Sequence, residues 1–344
     1  MLALAVSCLA FSTASGAARH AKRSSVYWGA TIGSQLTGGV APYDMKAVTK
    51  FQHVAGKGLS TVGFTAPFSV CNGTDCSPYL FPDTPMENLR QYGAIPFLSW
   101  GSEGAGGSTQ PDFQLSDVIN GRYDSYIANF AAKARAWGHP FFLRFDWEMN
   151  GNWFPWGERA NGNKPGEYVA AYRHVHDIFT AMGATNATWV WCPNVNINNA
   201  PAIQRPLGPL YPGNGYVDWT CLDGFNWGKN LSFGPGPRSF SGVFGRTYHQ
   251  VVQVARHKPM ILGEVASTGI GGGKPGWVRN MLRTIPHRYP KIHGFIWFDV
   301  NDRGTQWPIE TSRHVVRAFR HGIRSHVYTS NSFAGLNASP IPVP

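Results

Sequence analysis

A densely mixed stretch, LRFDWEMNGNWFPWG at residues 143–157, places one arginine and two carboxylates among three tryptophans and two phenylalanines. Because side chains alternate along a strand, Arg144, Asp146 and Glu148 share one face while the other face is apolar. Burying three ionisable groups is costly unless they pair or do chemistry. We expect Glu148, at the end of the strand, to be catalytic. For Arg144 and Asp146, an internal ion pair that only supports the fold stands beside substrate contact as the alternative.

A second acid closes another apolar run. In PMILGEVAS, residues 259–267, Glu264 has no local partner, and a cap for the glycine-rich turn that follows is the alternative interpretation. If Glu148 and Glu264 face each other, the pair fits glycoside hydrolysis. One carboxyl would protonate the leaving oxygen while the other attacks the anomeric carbon or activates water. Arg144 would then hold Glu264 or Asp146 in its charged form.

Aromatic residues gather at the ends of the apolar runs. Sugar rings stack their C–H faces on such rings, and their hydroxyls bind Asn, Arg and Asp. For each tryptophan taken alone, core packing remains the alternative; for the group, a carbohydrate cleft is favoured. Besides Arg144 and Asp146, the predicted substrate-binding residues are Trp100, Trp147, Asn150, Trp153, Trp156, Phe225, Trp227, Trp297, Asp299 and Trp307.

The elements that must position these residues form an alternating pattern. Apolar runs cover 25–32, 61–68, 94–100, 140–148, 187–194, 221–227, 259–265 and 293–300. Amphipathic helical patterns cover 123–138, 166–183, 244–257 and 277–289, with Gly183 expected to cap the second. Strands alternating with helices predict an α/β fold, a single (β/α)8 TIM barrel with its active site at the C-terminal ends of the strands. A doubly wound open sheet is the competitor, but no GxGxxG follows the first run.

The chain ends predict the domain organisation. Residues 1–17 resemble a signal peptide cleaved after Ala17, which predicts secretion; a buried N-terminal helix is the alternative. Residues 18–24 would be a basic linker, 25–325 the barrel, and 326–344, with three prolines, a loosely held tail. No apolar run of about 20 residues follows the N-terminus, so we expect no membrane insertion.

Four cysteines remain after the signal peptide. Cys71 and Cys76 bracket a turn-forming stretch, which predicts a local disulfide. Cys192 and Cys221 either pair or stay as buried free thiols. Neither CxxC nor HxxxH spacing accompanies them, so we expect no metal site, and no organic cofactor is implied.

The net charge of +11 indicates attraction to anionic surfaces. The positive charge is diffuse, without a Lys/Arg block, so we expect no nucleic-acid partner. The expected partner is a polysaccharide or oligosaccharide, and the expected oligomeric state is a monomer.

Residues 96–312 resemble glycoside hydrolase family 26, the β-mannanase-like (β/α)8 barrels. The resemblance lies in IPFLSW, LRFDWEMNGNWFPWG, CLDGFNWG, KPMILGEVAS and GFIWFDVNDRGTQWPIETS, which occur in the family's order. It implies a retaining double displacement with Glu148 as acid/base and Glu264 as nucleophile.

Two positions depart from the family pattern. Trp147 replaces the usual histidine before the acid/base, and Phe225 replaces a tyrosine whose hydroxyl would meet the nucleophile. The departures bear on sugar choice more than on hydrolysis, and β-mannan, mixed-linkage β-glucan and β-xylan all stay open. They also motivate the alternative of a sugar-binding barrel without catalysis. A third alternative, a basic wall adhesin, rests on the positive charge alone.

Overall fold

A computed structural model describes residues 25–344 apart from 73–74, 105, 197–203, 230–235, 272 and 303. Over these residues the strands are β1 (Tyr27–Ile32), β2 (Thr61–Pro67), β3 (Ser69–Asn72), β4 (Asp75–Pro78), β5 (Ile95–Gly101), β6 (Phe141–Phe145), β7 (Ala187–Trp191), β8 (Trp219–Asn226), β9 (Met260–Ser267) and β10 (Ile292–Asp299). The α-helices are α1 (Met45–Ala55), α2 (Asp83–Tyr92), α3 (Leu115–Ile119), α4 (Asp124–Trp137), α5 (Glu167–Ala181), α6 (Phe240–Val254), α7 (Lys274–Arg288) and α8 (Arg313–Ile323). Short 3-10 turns cover Ser34–Leu36, Pro111–Phe113, Gly208–Leu210 and Ile309–Thr311.

The predicted (β/α)8 barrel is confirmed. Eight parallel strands close in the order β1-β10-β9-β8-β7-β6-β5-β2, and each of the eight apolar runs overlaps one of them. The four predicted helices correspond to α4, α5, α6 and α7, and Gly183 follows α5 with a φ of 70°. The hairpin β3–β4 was not expected; it pairs Cys71 with Cys76.

The end of β6 differs from the prediction. The strand stops at Phe145, and the two acids that follow adopt positive φ, 44° at Asp146 and 54° at Glu148. A strict alternation of faces through residue 148 is therefore wrong, because left-handed residues redirect the backbone. Aspartate adopts this conformation more readily than most residues do. The turn leaves Asp146 and Glu148 pointing to different surroundings.

The N-terminal end of the barrel is filled by aromatic side chains. Phe142 and Trp219 pack edge to face at 5.3 Å, and Tyr27 contacts both of them. Phe333, from the C-terminal segment, packs against Tyr27 at 5.2 Å.

The C-terminal segment 326–344 is docked against this end, so the expectation of a loosely held tail is wrong. Tyr328 forms a parallel bridge with Val26. Ile341 is 2% exposed; its backbone N–H donates to the Thr188 hydroxyl, and its carbonyl accepts from the Trp219 indole. The segment stays in place because it buries an apolar side chain and satisfies polar groups at the barrel floor.

No described helix is long and apolar enough to cross a membrane. The predicted signal peptide 1–17 and linker 18–24 lie outside the described residues.

Candidate active site

Three carboxylates meet at the C-terminal end of the barrel. Glu148 follows β6, Asp223 lies in β8 and Glu264 lies in β9. One carboxylate oxygen from each residue lies within 4.8 Å of the others. The register of β8 against β9 shifts by one residue just before Asp223 pairs with Glu264, which sets these two acids side by side. The two predicted acids are therefore brought together across the barrel mouth.

Sequence reasoning missed Asp223. Its carboxylate stands two residues after Cys221, and so on the same strand face. This two-residue spacing from Cys221 was the feature of the sequence that could have indicated an acid facing the barrel interior.

Arg144 links two of these acids. Its Nη1 donates to Asp223 Oδ2 at 2.6 Å and its Nη2 to Glu264 Oε1 at 2.7 Å, while Nε donates to the Ser99 hydroxyl at 2.7 Å. The side chain is buried. Burial disfavours the charged guanidinium, but Asp223 and Glu264 outweigh it and raise the pKa of Arg144. Arg144 therefore places a positive charge against Glu264 and orients its carboxylate.

The predicted ion pair between Arg144 and Asp146 is wrong. Asp146 is completely buried and accepts from the backbone N–H of Ser102 at 2.7 Å and from its hydroxyl at 2.8 Å. Burial raises the pKa of Asp146 well above its ordinary value. Because Ser102 directly follows β5, this residue ties the end of β6 to its neighbour and holds the turn that presents Glu148. It supports the site and is not placed to touch a substrate.

Glu148 has the environment of a proton donor. Burial, and then the charge of Glu264, raise its pKa to about 7, while hydrogen bonds from Asn194 and Trp153 and the charge of Arg144 act in the opposite direction. Asn194 Nδ2 donates to Oε1 at 2.7 Å and Trp153 Nε1 to Oε2 at 2.5 Å. A substantial fraction of Glu148 is thus protonated near neutral pH, as a general acid requires.

Asn150 was predicted to bind substrate, but it is completely buried. Its Oδ1 accepts from the backbone N–H of Asn194 at 2.8 Å, and its Nδ2 donates to the Asn194 carbonyl at 2.9 Å. The predicted substrate contact is therefore wrong. Asn150 instead positions Asn194, which donates a hydrogen bond to Glu148. Asn194 itself was missed, because a single asparagine after a strand gives no pattern in the sequence.

The aromatics after Glu148 form one side of the site. Trp147 lies over the Arg144 guanidinium at 4.9 Å and packs against Trp156 at 4.8 Å, and Phe154 stacks on Trp156 at 4.6 Å. Trp147 thus lies on the active-site side, because the backbone turns at the end of β6. Trp156 is completely buried and donates to the Trp147 carbonyl, so it supports this wall from behind. Trp153 and Phe154 are partly exposed.

A second aromatic group lies at the end of β8. Phe225 and Trp227 are partly exposed, with ring centres 5.6 Å apart. Trp307, from the loop after β10, packs on both at 5.2 Å and 5.1 Å but is itself buried. The exposed edges of Phe225 and Trp227 are the parts of this group that a sugar could reach.

Three predicted substrate contacts are wrong. Trp100 is completely buried and stacks at 4.3 Å on Phe130 of α4. Trp297 packs outward on α8, 5.7 Å from Phe319. Asp299 points as Trp297 does, as expected, but it accepts from Ile309 N and is completely buried. Each of these residues lies on the side of its strand that faces the helices and loops. The sequence alone does not show which side of a strand faces the barrel interior.

Both cysteine pairs lie at disulfide distance. The sulfur atoms of Cys71 and Cys76 are 2.13 Å apart, which confirms the predicted local disulfide. Those of Cys192 and Cys221 are 2.25 Å apart. Of the two predicted alternatives, the structure therefore supports a disulfide and not two free thiols.

A closed barrel with two facing carboxylates and aromatic walls at its mouth places the chain among the glycoside hydrolases. Residues 110–323 match the family described as Glycosyl hydrolase family 26, and the chain belongs to that family.

Named relatives agree with this assignment. The chain is 35% identical over 285 residues to Endoglucanase H of Acetivibrio thermocellus, covering 80% of this chain and 29% of the relative. It is 27% identical over 179 residues to Mannan endo-1,4-beta-mannosidase A and B of Caldalkalibacillus mannanilyticus, covering 49% and 30%. The chain thus spans less than a third of either relative.

Among solved structures, the fold is similar to the catalytic domain of the Bacillus sp. JAMB-750 GH26 endo-beta-1,4-mannanase. The TM-score is 0.69 at 17% identity, with 91% of this chain and 89% of that chain covered. A Bacillus subtilis mannanase, BCman, gives a TM-score of 0.64 at 20% identity, covering 90% and 88%. At these identities the likeness shows the shared fold.

Proposed function

We propose that this protein is a retaining endo-β-glycanase in which Glu264 is the nucleophile and Glu148 the acid/base. The observation that carries the proposal is the approach of their carboxylate oxygens to within 4.8 Å. Retaining enzymes hold their two carboxyl groups about 5–5.5 Å apart, whereas inverting enzymes need about 6.5–9.5 Å to admit a water. The short separation favours direct attack by a carboxylate.

In the first step, Glu264 attacks the anomeric carbon and the glycosidic bond breaks. Glu148 donates its proton to the departing oxygen, so the leaving sugar departs as an alcohol and Glu148 becomes a carboxylate. Arg144 orients the Glu264 carboxylate for the attack, because it donates to Glu264 Oε1 from a buried position. A glycosyl ester on Glu264 results.

In the second step, Glu148 takes a proton from water, and the resulting hydroxide displaces Glu264 from the anomeric carbon. Esterification has removed the negative charge of Glu264, which is one of the two causes that raise the pKa of Glu148. The pKa of Glu148 therefore falls in the intermediate, and the same residue that acted as acid becomes a base.

For the substrate, we propose a β-glucan ahead of β-mannan or β-xylan. Endoglucanase H matches at higher identity and over more of the chain than the mannosidase does. Trp147 and Phe225, the two departures from the family pattern, both lie at the site: one over Arg144 and the other against Trp307. Both departures change side chains that line the site, which is consistent with a sugar other than mannose.

For localisation, we propose secretion directed by residues 1–17. Two cysteine pairs at disulfide distance support an oxidising compartment. Sequencing the N-terminus of protein recovered from the culture medium tests this, and an intact Met1 would contradict it.

The test of activity is a reducing-end assay on barley β-glucan, glucomannan, mannan, laminarin and β-1,3-xylan. Endo action predicts that viscosity falls before many reducing ends appear, and retention predicts that the β-anomer is the first product seen by proton NMR. Highest turnover on β-glucan supports the proposed sugar, and highest turnover on mannan contradicts it. Sugar binding without release of reducing ends would show instead a barrel that has lost catalysis.

A further inference from the structure

The outer wall formed by α7 and α8 carries an unusual concentration of positive charge. Neither residues 265–290 nor residues 312–344 contain a single Asp or Glu. The exposed arginines and histidines of this wall are Arg279, Arg283, His287, Arg288, Arg313, His314, Arg317, Arg320, His321, Arg324 and His326.

These cations are not neutralised by neighbours. Among the ion pairs of the described residues, none involves Arg279, Arg283 or Arg317. Among the described residues that line the groove and depressions of this wall, the one acid is Glu310, whose Oε1 accepts from Gln35 Nε2 at 3.1 Å. The charge of the wall is therefore available to an external anion.

The two helices frame a groove. Arg279, Arg283 and His287 border it from α7, and His321 and His326 border it from α8 and the turn that follows; its volume is about 640 Å³. Two shallower depressions continue it, because they share Arg279, His321 and Arg317 with it or with each other.

The cations form rows along this groove. Residues four apart on a helix lie on one face about 6 Å from each other, so Arg279 and Arg283 make a row on α7, and Arg313, Arg317 and His321 make one on α8. Two neighbouring rows with a groove between them fit an elongated ligand that repeats its negative charge.

The residue types favour carboxylates on such a ligand. The row residues include arginine and histidine but no lysine, and a guanidinium binds a planar carboxylate through two parallel hydrogen bonds. Single-stranded nucleic acid is usually bound with aromatic stacking platforms, and no Phe, Tyr or Trp is among the described residues that border the groove.

We propose that the groove between α7 and α8 binds an acidic polysaccharide whose sugars carry carboxylates, such as a polyuronate. The groove lies on the outer wall of the barrel and shares no residue with the carboxylate site at the strand ends. One acidic chain could thus hold the enzyme against a matrix while a neutral chain is cut at the mouth. The inference does not depend on which neutral glycan is cleaved.

The test measures binding of the full chain to sodium polygalacturonate, with neutral barley β-glucan as the matched polymer. Affinity electrophoresis at low ionic strength gives the dissociation constant, and raising the salt about ten-fold tests the electrostatic origin. We expect polygalacturonate to retard the protein strongly at low salt and to lose most of that effect at high salt.

Two triple variants separate the groove from net charge. Arg279→Gln/Arg283→Gln/Arg317→Gln removes three charges, two at the groove and one at the depressions that continue it. Lys133→Gln/Arg246→Gln/Arg256→Gln removes three exposed charges elsewhere. We expect the groove variant to weaken binding roughly ten-fold or more and the control about three-fold at most. Both should hydrolyse soluble substrate as the wild type does, which checks folding.

Several results would overturn the proposal. Equal losses in both variants would assign the binding to net charge alone. Retention that persists at high salt would exclude this mechanism. Tighter binding to single-stranded DNA or to phosphatidylserine vesicles than to polygalacturonate, with the same loss in the groove variant, would identify another occupant. If polygalacturonate did not retard the wild-type protein, the groove would not be a binding site for acidic polysaccharide. None of these outcomes touches the reducing-end assay of the proposed activity.

Discussion

The two ends of the barrel use opposite kinds of side chain. At the C-terminal end, Arg144, Asp223 and Glu264 are held together with Glu148 in a space from which most water is excluded. At the N-terminal end, neutral aromatic rings fill the barrel and the docked tail closes it. The first arrangement keeps charges out of water, which opposes folding but makes them reactive. The second buries apolar surface and satisfies its polar groups, which favours folding. Changes at the first end should therefore act on activity, and changes at the second on stability.

The largest effect is expected from Glu264→Gln. Without a nucleophile the double displacement cannot begin, so we expect kcat/KM to fall about 10⁴-fold or more. Stability should fall less than in an Arg144 variant, because the amide keeps the shape of the side chain and Asp223 still pairs with Arg144. The measurement is reducing-end release on the best polymer, with thermal unfolding alongside. Glu167→Gln, on α5 and away from the mouth, serves as the matched control. Near-normal turnover in Glu264→Gln would remove this residue from the mechanism.

Arg144→Met should lower both the activity and the stability, although Arg144 lies at the charged end of the barrel. Removing one partner of a buried ion pair leaves uncompensated charge, which costs about 3–5 kcal/mol of the free energy of unfolding. We expect activity in the folded fraction to fall more than about 100-fold, because Glu264 loses the donor that orients it. Denaturant unfolding and steady-state kinetics measure the two effects.

The double variant Arg144→Met/Asp223→Asn separates them. It removes one of the stranded carboxylates and should regain part of the lost stability while activity stays low. If activity returned together with stability, Arg144 would be only a structural residue.

The elements and the two acids could be predicted because each left a local pattern. Apolar runs alternating with amphipathic stretches indicated the barrel, and Glu148 and Glu264 each closed such a run. Their meeting followed from a general property of parallel barrels, whose strand ends gather at one face. The meeting of these two acids could therefore be predicted without knowing the distances between strands.

The pairing of Arg144 with Glu264 was one of the two predicted alternatives, but its second partner could not be predicted in the same way. Asp146 is two residues away, whereas that second partner, Asp223, is 79 residues away across the barrel. Two left-handed residues after β6 break the alternation that suggested the local pair. Trp100 and Trp297 were misplaced for a related reason, since the side of the sheet that a strand residue faces depends on register. Ile341 lies between two prolines and carried no periodic pattern that could reveal the docked tail.

At the opposite end, Ile341→Ala should lower stability without changing catalysis. Truncating a buried isoleucine removes apolar contact and leaves a cavity, which costs about 2–4 kcal/mol. Val343→Ala, two residues further on and 46% exposed, is the matched control and should change stability little. Denaturant titration and kcat are measured on both. A large loss of kcat in folded Ile341→Ala would show that the two ends are coupled, and equal stability of the two variants would show that the tail contributes little.

The smallest expected effect returns to the proton on Glu148. Asn194 donates to Oε1, and this bond favours the ionised carboxylate, so Asn194→Ala should raise the pKa of Glu148 above about 7. Because the first step needs Glu148 protonated, kcat/KM of the free enzyme falls as pH rises through that pKa. The alkaline limb of the pH profile should therefore move to higher pH in the variant, by roughly one unit at most, since Trp153 still donates to Oε2. Asn129→Ala, exposed on α4, should leave the profile in place. A limb that moved to lower pH, or did not move, would mean that another group supplies the proton, and the charged end of the barrel would then need a different acid.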